Sequence, residues 1–504
     1  MIMEVYGFVE GFSNALTLNN LMFGVIGSIL GTLVGVLPGI GPALAISLLL
    51  PVTLVADPTA SLIMFGAIYY GAMYGGSTTS ILLNTPGESG SVMTAIEGNK
   101  MAKRGRAGAA LATAAIGSFI AGAVATGLLA LGAPMLARLG LLLTPPDYLA
   151  LIVVAFVTVG AVMGSSPLRG LIALTVGLSI GLVGIDPQSG VSRLTFGNVY
   201  AADGIETIVV IVSLFAVGEL LYVAFRGRLG GTKVSEFKGF AWMTKKEWKR
   251  SWKPWVRGTA IGFPTGVLPA GGSEVPTFLS YTLEKRLAKK SGHADEFGNG
   301  AIEGVAGPEA ANNANAGGAL VPLLALGLPT SGTAAVILAS FQMYNINPGP
   351  LLFTEQSLLV WTLIAALFIG NALLLLINLP LVGMWAKLLS IPAPYLYSGI
   401  VVFAMVGAYA INNFAFDLWM ALAIGTLGLL FRLYGYPITP LIIGVILGPM
   451  AELYFRRAVQ ISYGDYSILV STPFTWAAYA LLAVIVVAPI AYRAWKKQNT
   501  KQVG

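Results

Sequence analysis

Gly31-Thr-Leu-Val-Gly-Val-Leu-Pro-Gly-Ile-Gly-Pro42, GTLVGVLPGIGP, interrupts an otherwise apolar run with four glycines and two prolines. Proline removes a backbone donor and glycine frees the backbone. The stretch, through Gly35, Pro38, Gly39 and Gly41, therefore opens main-chain N–H and C=O groups that lipid cannot satisfy. Such a break belongs where neighbouring protein or a water-filled path surrounds it.

Composition sets that break in a bilayer. Of 504 residues, 56% are hydrophobic and 10% charged, the mean hydropathy is +0.79, and apolar runs of spanning length recur to about residue 492. A soluble fold is excluded. The chain has no cysteine, so disulfides and thiolate metal centres are excluded too. The opening MIMEVYGFVEGFSNALTLNN lacks a basic n-region and a small-residue cleavage site, and no cleaved signal peptide is expected. The net charge of +7 sits in a few loops between spans. It reads as an orientation signal, not as a nucleic-acid surface.

Those loops predict a topology. Residues 1–99 hold no Lys or Arg; Lys100, Lys103, Arg104 and Arg106 then follow, and the linker 226–257 carries ten more basic residues against Glu236 and Glu247. Both segments are expected in the cytoplasm. Between them lie four apolar runs, near 107–133, 148–164, 168–185 and 205–225, the even number that two cytoplasmic ends require. Before Lys100, either three crossings or a re-entrant hairpin plus one crossing fits, and both put the N-terminus outside. Later spans near 356–384, 394–411, 415–433, 437–450 and 472–492 leave Lys387, Arg432 and the C-terminal tail inside. Arg456 and Arg457 dissent, and a separate interfacial helix at 451–466 is expected to hold them. Outer loops are then 134–147, 186–204, 345–355 and 451–471. Trp242, Trp248, Trp252 and Trp255 beside lysines suit either an interfacial helix or a solvated connector.

The broken stretch occurs twice. GTLVGVLPGIG (31–41) aligns with GFPTGVLPAGG (262–272) at an offset of 231, with six identities in eleven. GGSTTSILLNTPGESGS (75–91) then aligns with GGALVPLLALGLPTSGT (317–333) at an offset of 242. Two ordered pairs point to duplication. The second break, at Gly266, Pro269, Gly271 and Gly272, follows the cytoplasmic linker, whereas the first is approached from outside, so the two copies are expected to be inverted. Residues 258–284 are too short for two crossings at about 20 residues each, and a re-entrant hairpin is expected there. The predicted architecture is an all-α polytopic membrane protein with two inverted repeats and 10–12 membrane segments. Its halves are 1–225 and 258–504, joined by 226–257.

The runs GVLPGIGPALAISLLLP, YYGAMYGGSTTSILLNTPGESGSVMTAIEGNKMAKRGRAGAAL and GVAGPEAANNANAGGALVPLLALGLPTSGTAAV resemble the large membrane subunit, TctA, of the tripartite tricarboxylate transporters. The resemblance covers essentially the whole chain. It implies a secondary uptake system in the bacterial inner membrane for organic carboxylates. A periplasmic solute-binding protein (TctC-like) and a small membrane subunit (TctB-like) would be its partners. It implies no organic cofactor, but a coupling ion, H⁺ or Na⁺.

Residue chemistry supplies candidates beside that resemblance. Ser77, Thr78, Thr79, Ser80, Asn84, Thr85, Gly87, Ser89, Gly90 and Ser91 form one polar tip. Asn312, Asn313, Asn315, Thr330, Ser331, Gly332 and Thr333 form the other. Helix N-termini with neutral hydroxyl and amide donors can hold a carboxylate without a buried Lys or Arg. The alternative for the first tip is that its Gly, Ser and Thr serve close helix packing; the three asparagines must face protein, water or a ligand. Ser273, Glu274, Glu303 and Glu309 are the candidates for ion coupling, with solvation at an interface as the alternative for Glu303 and Glu309. Glu88, Glu206, Glu219 and Asp417 read as interfacial.

Other classes fit less well. Gly87-Glu-Ser-Gly90 matches a serine-nucleophile pattern of intramembrane proteases, but the lone histidine, His293, lies in a charged segment. No GxxxxGK[S/T] loop occurs, which excludes an ATP-driven pump. No enzymatic activity is expected. A passive anion channel is the serious rival, since broken helices also build selectivity filters.

Overall fold

The computed structural model describes residues 2–37, 40–162, 166–186, 188–226, 241–269, 272–290, 292–388 and 393–484. Pro38, Gly39 and Gly271 lie outside the described residues, as do most of the linker and the tail beyond 484. In chain order the first helices are α1 (Ile2–Ala15), α2 (Leu18–Val36), α3 (Pro42–Thr53), α4 (Pro58–Leu83), α5 (Val92–Lys103) and α6 (Ala107–Gly140). α7 (Pro145–Val162), α8 (Pro167–Gly181), the strands β1 (Gly184–Ile185) and β2 (Ser192–Arg193), α9 (Thr207–Val212) and α10 (Gly218–Arg226) follow. Next come α11 (Lys245–Val267), α12 (Glu274–Lys290), α13 (Glu303–Leu326), α14 (Gly332–Met343), α15 (Leu352–Glu355) and α16 (Ser357–Asn378). The last are α17 (Val382–Leu388), α18 (Ala393–Asn412), α19 (Ala415–Leu433) and α20 (Ile438–Ile461). Six helical stretches among the described residues, including α2, α6, α16, α19 and α20, are long and apolar enough to cross a membrane. The all-α polytopic class is borne out.

The chain forms two compact units, one of Met1–Leu141 with Ile208–Leu430, the other of Leu142–Thr207 with Phe431–Gly504. In the first unit, α4 and α13 are buried along almost their whole length although neither is strongly apolar. About half of each is small or polar, Gly, Ala, Ser and Thr in α4 and Gly, Ala and Asn in α13, which lets backbones approach and bond neighbouring helices. α4 starts on Pro58 with the Asp57 carboxylate accepting from Ala60 N at 2.9 Å.

One helix-pair geometry occurs twice. A Cβ on Gly27, Gly31 or Gly35 of α2 would lie 2.5, 2.6 and 2.3 Å from the carbonyl oxygens of Met64, Ile68 and Ala72 on α4. On α11, a Cβ on Gly258, Gly262 or Gly266 would lie 2.2, 2.2 and 2.3 Å from those of Gly307, Ala311 and Asn315 on α13. Seen from the other side, Gly75 closes on the Thr32 oxygen and Gly318 on the Phe263 oxygen, each at 2.3 Å. The first helices thus repeat at the expected offset of 231. Their partners repeat at 243, one residue beyond the expected 242. The helix ends agree: α4 terminates on Asn84 and α13 on Gly327, both left-handed, at φ 58° and 69°. Gly35 and Gly266 therefore sit in the last helical turns and serve this packing. α2 ends at Val36 and α3 begins at Pro42; α11 ends at Val267 and α12 begins at Glu274.

Several expected boundaries move. The span drawn at 356–384 ends at Asn378 and restarts as α17. α6 runs through Pro134 to Gly140, so most of the 134–147 loop is helix. α11 runs unbroken across the 257/258 boundary; Trp242, Trp248 and Trp252 are exposed, whereas Trp255 is buried and donates to the Thr113 carbonyl at 3.1 Å. In the second unit there is no separate helix at 451–466, because α20 continues to Ile461. Ion pairs explain Arg456 there: its guanidinium holds Asp186 at 2.6 Å and also pairs with Glu452, which in turn takes Arg193 at 2.7 Å. The hydrogen bond from Arg456 holds the Asp186 carboxyl well below the usual carboxylate range.

Candidate functional site

The first tip is the segment Asn84–Ser91 between α4 and α5. Asn84 can close α4 because Asn tolerates the left-handed region. Gly87 then presses on the α2 backbone: a Cβ there would lie 2.0 Å from the Gly35 carbonyl oxygen. Glu88 opens the next turn, its Oε2 accepting from Gly90 N at 2.9 Å. Ser91 Oγ donates to the Glu88 carbonyl at 2.8 Å and accepts from Ser80 Oγ at 2.9 Å. Thr79 Oγ1 donates to the Val36 carbonyl at 2.6 Å, and Ser77 Oγ to the Tyr74 carbonyl at 2.7 Å. Much of the tip's hydroxyl chemistry therefore holds the tip itself.

Its outward contact is with the second helix pair. Asn312 Nδ2, buried on α13, donates to Glu88 Oε1 at 2.8 Å, and Ser273 Oγ, just before α12, reaches Glu88 Oε2 at 3.5 Å. The second tip, Leu328–Ser331, answers in kind. Ser331 caps α14, accepting from Ala334 N at 3.2 Å, with the same extended backbone as Glu88 (φ −146° against −141°). Its side chain lies near Tyr69 on α4. Glu88 and Ser331 are 243 apart, and so are Tyr69 and Asn312. Each tip thus reaches the equivalent position on the other half's buried helix, the contact pattern of a two-fold axis. Thr330 Oγ1 holds the second tip to the Gly266 carbonyl at 2.9 Å.

The remaining candidates divide by environment. Thr78 and Asn315 are buried, Gly332 and Thr333 half-buried in the first turn of α14, and Thr85 half-buried beside Asn84. Asn84 and Ser89 are exposed. Asn313 turns from the tip and donates to Ser118 Oγ on α6 at 2.7 Å. Glu303 belongs to a polar rim: Arg250 donates to it at 2.6 Å and to Glu296 at 2.7 Å. The Arg250 hydrogen bond holds the Glu296 carboxyl below its ordinary range. Glu274 is exposed at the first residue of α12. Glu309 is fully buried, with Thr94 Oγ1 donating to Oε1 and Oε2 without a partner.

Two residues escaped the sequence reading. Glu88 read as interfacial, and in the structure it is half-buried, with Asn312 of α13 donating to it. Tyr69 was hidden in an apolar run. The register of the repeat could have found both, since aligning left-handed cap to left-handed cap places Glu88 opposite Ser331 and Tyr69 opposite Asn312.

Comparison with known proteins follows the same lines. The profile described as the tripartite tricarboxylate transporter TctA family matches residues 21–443. An uncharacterized 52.8 kDa protein in the TAR-I ttuC' 3'region of Agrobacterium vitis is 46% identical over 482 residues, 95% of each chain. An uncharacterized protein in the TAR-II ttuC' 3'region of the same organism is 45% identical over 222 residues, covering 44% of this chain and 90% of that one. No solved structure matches. With motifs, helices and profile in agreement over most of its length, the chain belongs to the tripartite tricarboxylate transporter TctA family.

Proposed function

We propose that this protein is the large membrane subunit of a secondary carrier that takes up tricarboxylates or related organic carboxylates across the bacterial inner membrane. It works with a periplasmic solute-binding protein and a small membrane subunit, and an ion gradient drives it. The observation that supports this best is the reciprocal placement of the two tips, Glu88 held by Asn312 and Ser331 near Tyr69. A pair of broken elements that cross into each other's half is the arrangement in which alternating access can expose one site to either side. Weak, neutral coordination at helix starts lets an anion bind and leave.

A passive anion channel is the competing reading, and counterflow separates the two. The complete three-component system reconstituted in proteoliposomes is expected to accumulate labelled carboxylate against unlabelled carboxylate inside. Omitting the binding protein should drop uptake at micromolar substrate to near background. Downhill leakage without exchange would make it a channel, and full-rate uptake by this chain alone would remove the binding protein from the mechanism.

A further inference from the structure

The two tips are alike in backbone and unlike in charge. On one side of the pseudo-two-fold stand Glu88, Ser273, Asn312 and Glu309; their counterparts on the other are Ser331, Pro42, Tyr69 and Gly66. Both carboxyls fall at the same tip.

That acidic tip is under-satisfied. Glu309 and Asn312 are fully buried one turn apart on α13, hence on one face. Glu309 Oε2 and Asn312 Oδ1 have no hydrogen-bond partner. Over the bare Cα of Gly90, three oxygens converge: a Cβ there would lie 2.2 Å from Ser273 Oγ, 2.4 Å from Asn312 Oδ1 and 2.8 Å from Glu88 Oε1. Glu309 Oε1 accepts from Thr94 in the first turn of α5, the helix that directly follows the Glu88–Ser91 turn. Among the described residues no Lys or Arg pairs with either, whereas Glu303 and Glu284, near the same helices, each take an arginine. Two carboxylates without a counter-charge inside a membrane protein are costly. A proton on Glu309 would lower that cost but leave the Asn312 carbonyl oxygen unused. A metal cation would use both. The donors are all hard oxygens, two carboxylates with amide and hydroxyl groups, the set chosen by alkali and alkaline-earth ions.

We propose that Glu88, Ser273, Asn312 and Glu309 form a site for a metal cation, sodium in a carrier driven by an ion gradient, leaving the carboxylate-free tip around Ser331 to the anionic substrate. The assignment rests on the carrier reading and deepens it: the repeat has divided one ancestral site into a cation half and an anion half. Binding of sodium would relieve the repulsion between the carboxylates and order the Glu88 tip against α13.

Sodium itself is the probe. Thermal unfolding of the purified full chain in detergent, without substrate, is measured across NaCl with choline chloride holding ionic strength, and again with KCl. A ligand that binds only the folded state raises its stability with concentration. Sodium is expected to stabilise the parent where choline does not. Glu309→Gln, Glu88→Gln and Ser273→Ala should each raise the half-saturating sodium concentration roughly ten- to a hundred-fold. The exposed variant Glu355→Gln, at the end of α15, should match the parent. Ser273→Ala keeps the test open should either Gln variant fail to fold. The proposal is overturned if choline or potassium stabilises as well as sodium does, if calcium or magnesium outcompetes it, or if the three variants keep the parental sodium dependence. Uptake is scored separately. Sodium binding with no carboxylate transport would remove the carrier reading and keep the site, and uptake driven by a proton gradient with no sodium effect would do the reverse.

Discussion

Ser331 accepts from Ala334 N at the start of α14 and lies near Tyr69 across the repeat. Ser89, which the sequence alignment had placed opposite it, is exposed. The two serines should therefore differ. Ser331→Ala removes one hydrogen bond to a charged substrate group, worth about 1.5–3 kcal/mol, so apparent affinity should fall roughly ten- to a hundred-fold, and α14 loses a cap worth about 1 kcal/mol. Ser331→Asp restores the cap acceptor but sets a negative charge at the anion's tip, so stability should return while uptake falls further. Ser89→Ala should transport like the parent. Uptake normalised to inserted protein, with melting temperature beside it, separates cap from site; parental affinity in Ser331→Ala would move the substrate elsewhere. The one-residue slip has a physical cause. Ser-Gly-Ser and Ser-Gly-Thr match as letters, but the backbone aligns left-handed cap on left-handed cap and Pro86 on Pro329. Glu88 and Ser331 each accept from a backbone N–H of the turn they open, so chemistry at that position could diverge while geometry stayed.

Helices show what glycine was for. The sequence reading took the glycines of GTLVGVLPGIG as a break, and α2 does end within that stretch, at Val36, but Gly27, Gly31 and Gly35 also form a seam on which α4 lies backbone to backbone. Both roles draw on the same residue, so composition alone could not separate them. Single alanines can. Gly35→Ala and Gly266→Ala each drive a Cβ to 2.3 Å of a carbonyl oxygen, on the rigid backbone of a buried helix. Overpacking of that kind costs about 1–3 kcal/mol. At Gly41, the residue preceding α3, nothing lies within 4 Å of the Cβ position, and Gly41→Ala should leave stability within about 0.5 kcal/mol of the parent. Fluorescence-detected gel filtration after heating ranks the three. Equal losses at Gly35 and Gly266 are the stronger expectation, since the two seams are equivalent; a silent Gly266→Ala would mean that α11 and α13 are less tightly packed than α2 and α4. Boundaries such as α20's continuation to Ile461 were not legible because Arg456 and Arg457 looked like an interruption. The partner that neutralises Arg456, Asp186, lies 270 residues away in sequence.

At the scale of the whole chain, the repeated helix pairs and reciprocal tips are compatible with either of two duplications. In a parallel one the axis runs along the membrane normal, and equivalent loops face the same side; in an inverted one it lies in the membrane plane, and they face opposite sides. Charge favours inversion. The loop closing the first tip's outgoing helix carries Lys103, Arg104 and Arg106, while its counterpart after α14, Tyr344-Asn-Ile-Asn-Pro348, carries no basic residue. Lys and Arg mark cytoplasmic loops because they resist translocation. A chain without cysteine makes the test clean, since any introduced thiol is unique. Arg104 and Asn347 are both exposed, so Arg104→Cys and Asn347→Cys should leave packing intact. In whole cells with a permeabilised outer membrane, a membrane-impermeant maleimide is expected to label Asn347→Cys at once. Arg104→Cys should react only after the inner membrane is opened. Labelling of both from the same side would make the duplication parallel. The two tips would then enter from one face, and a midplane site shared between a cation half and an anion half would have no structural basis.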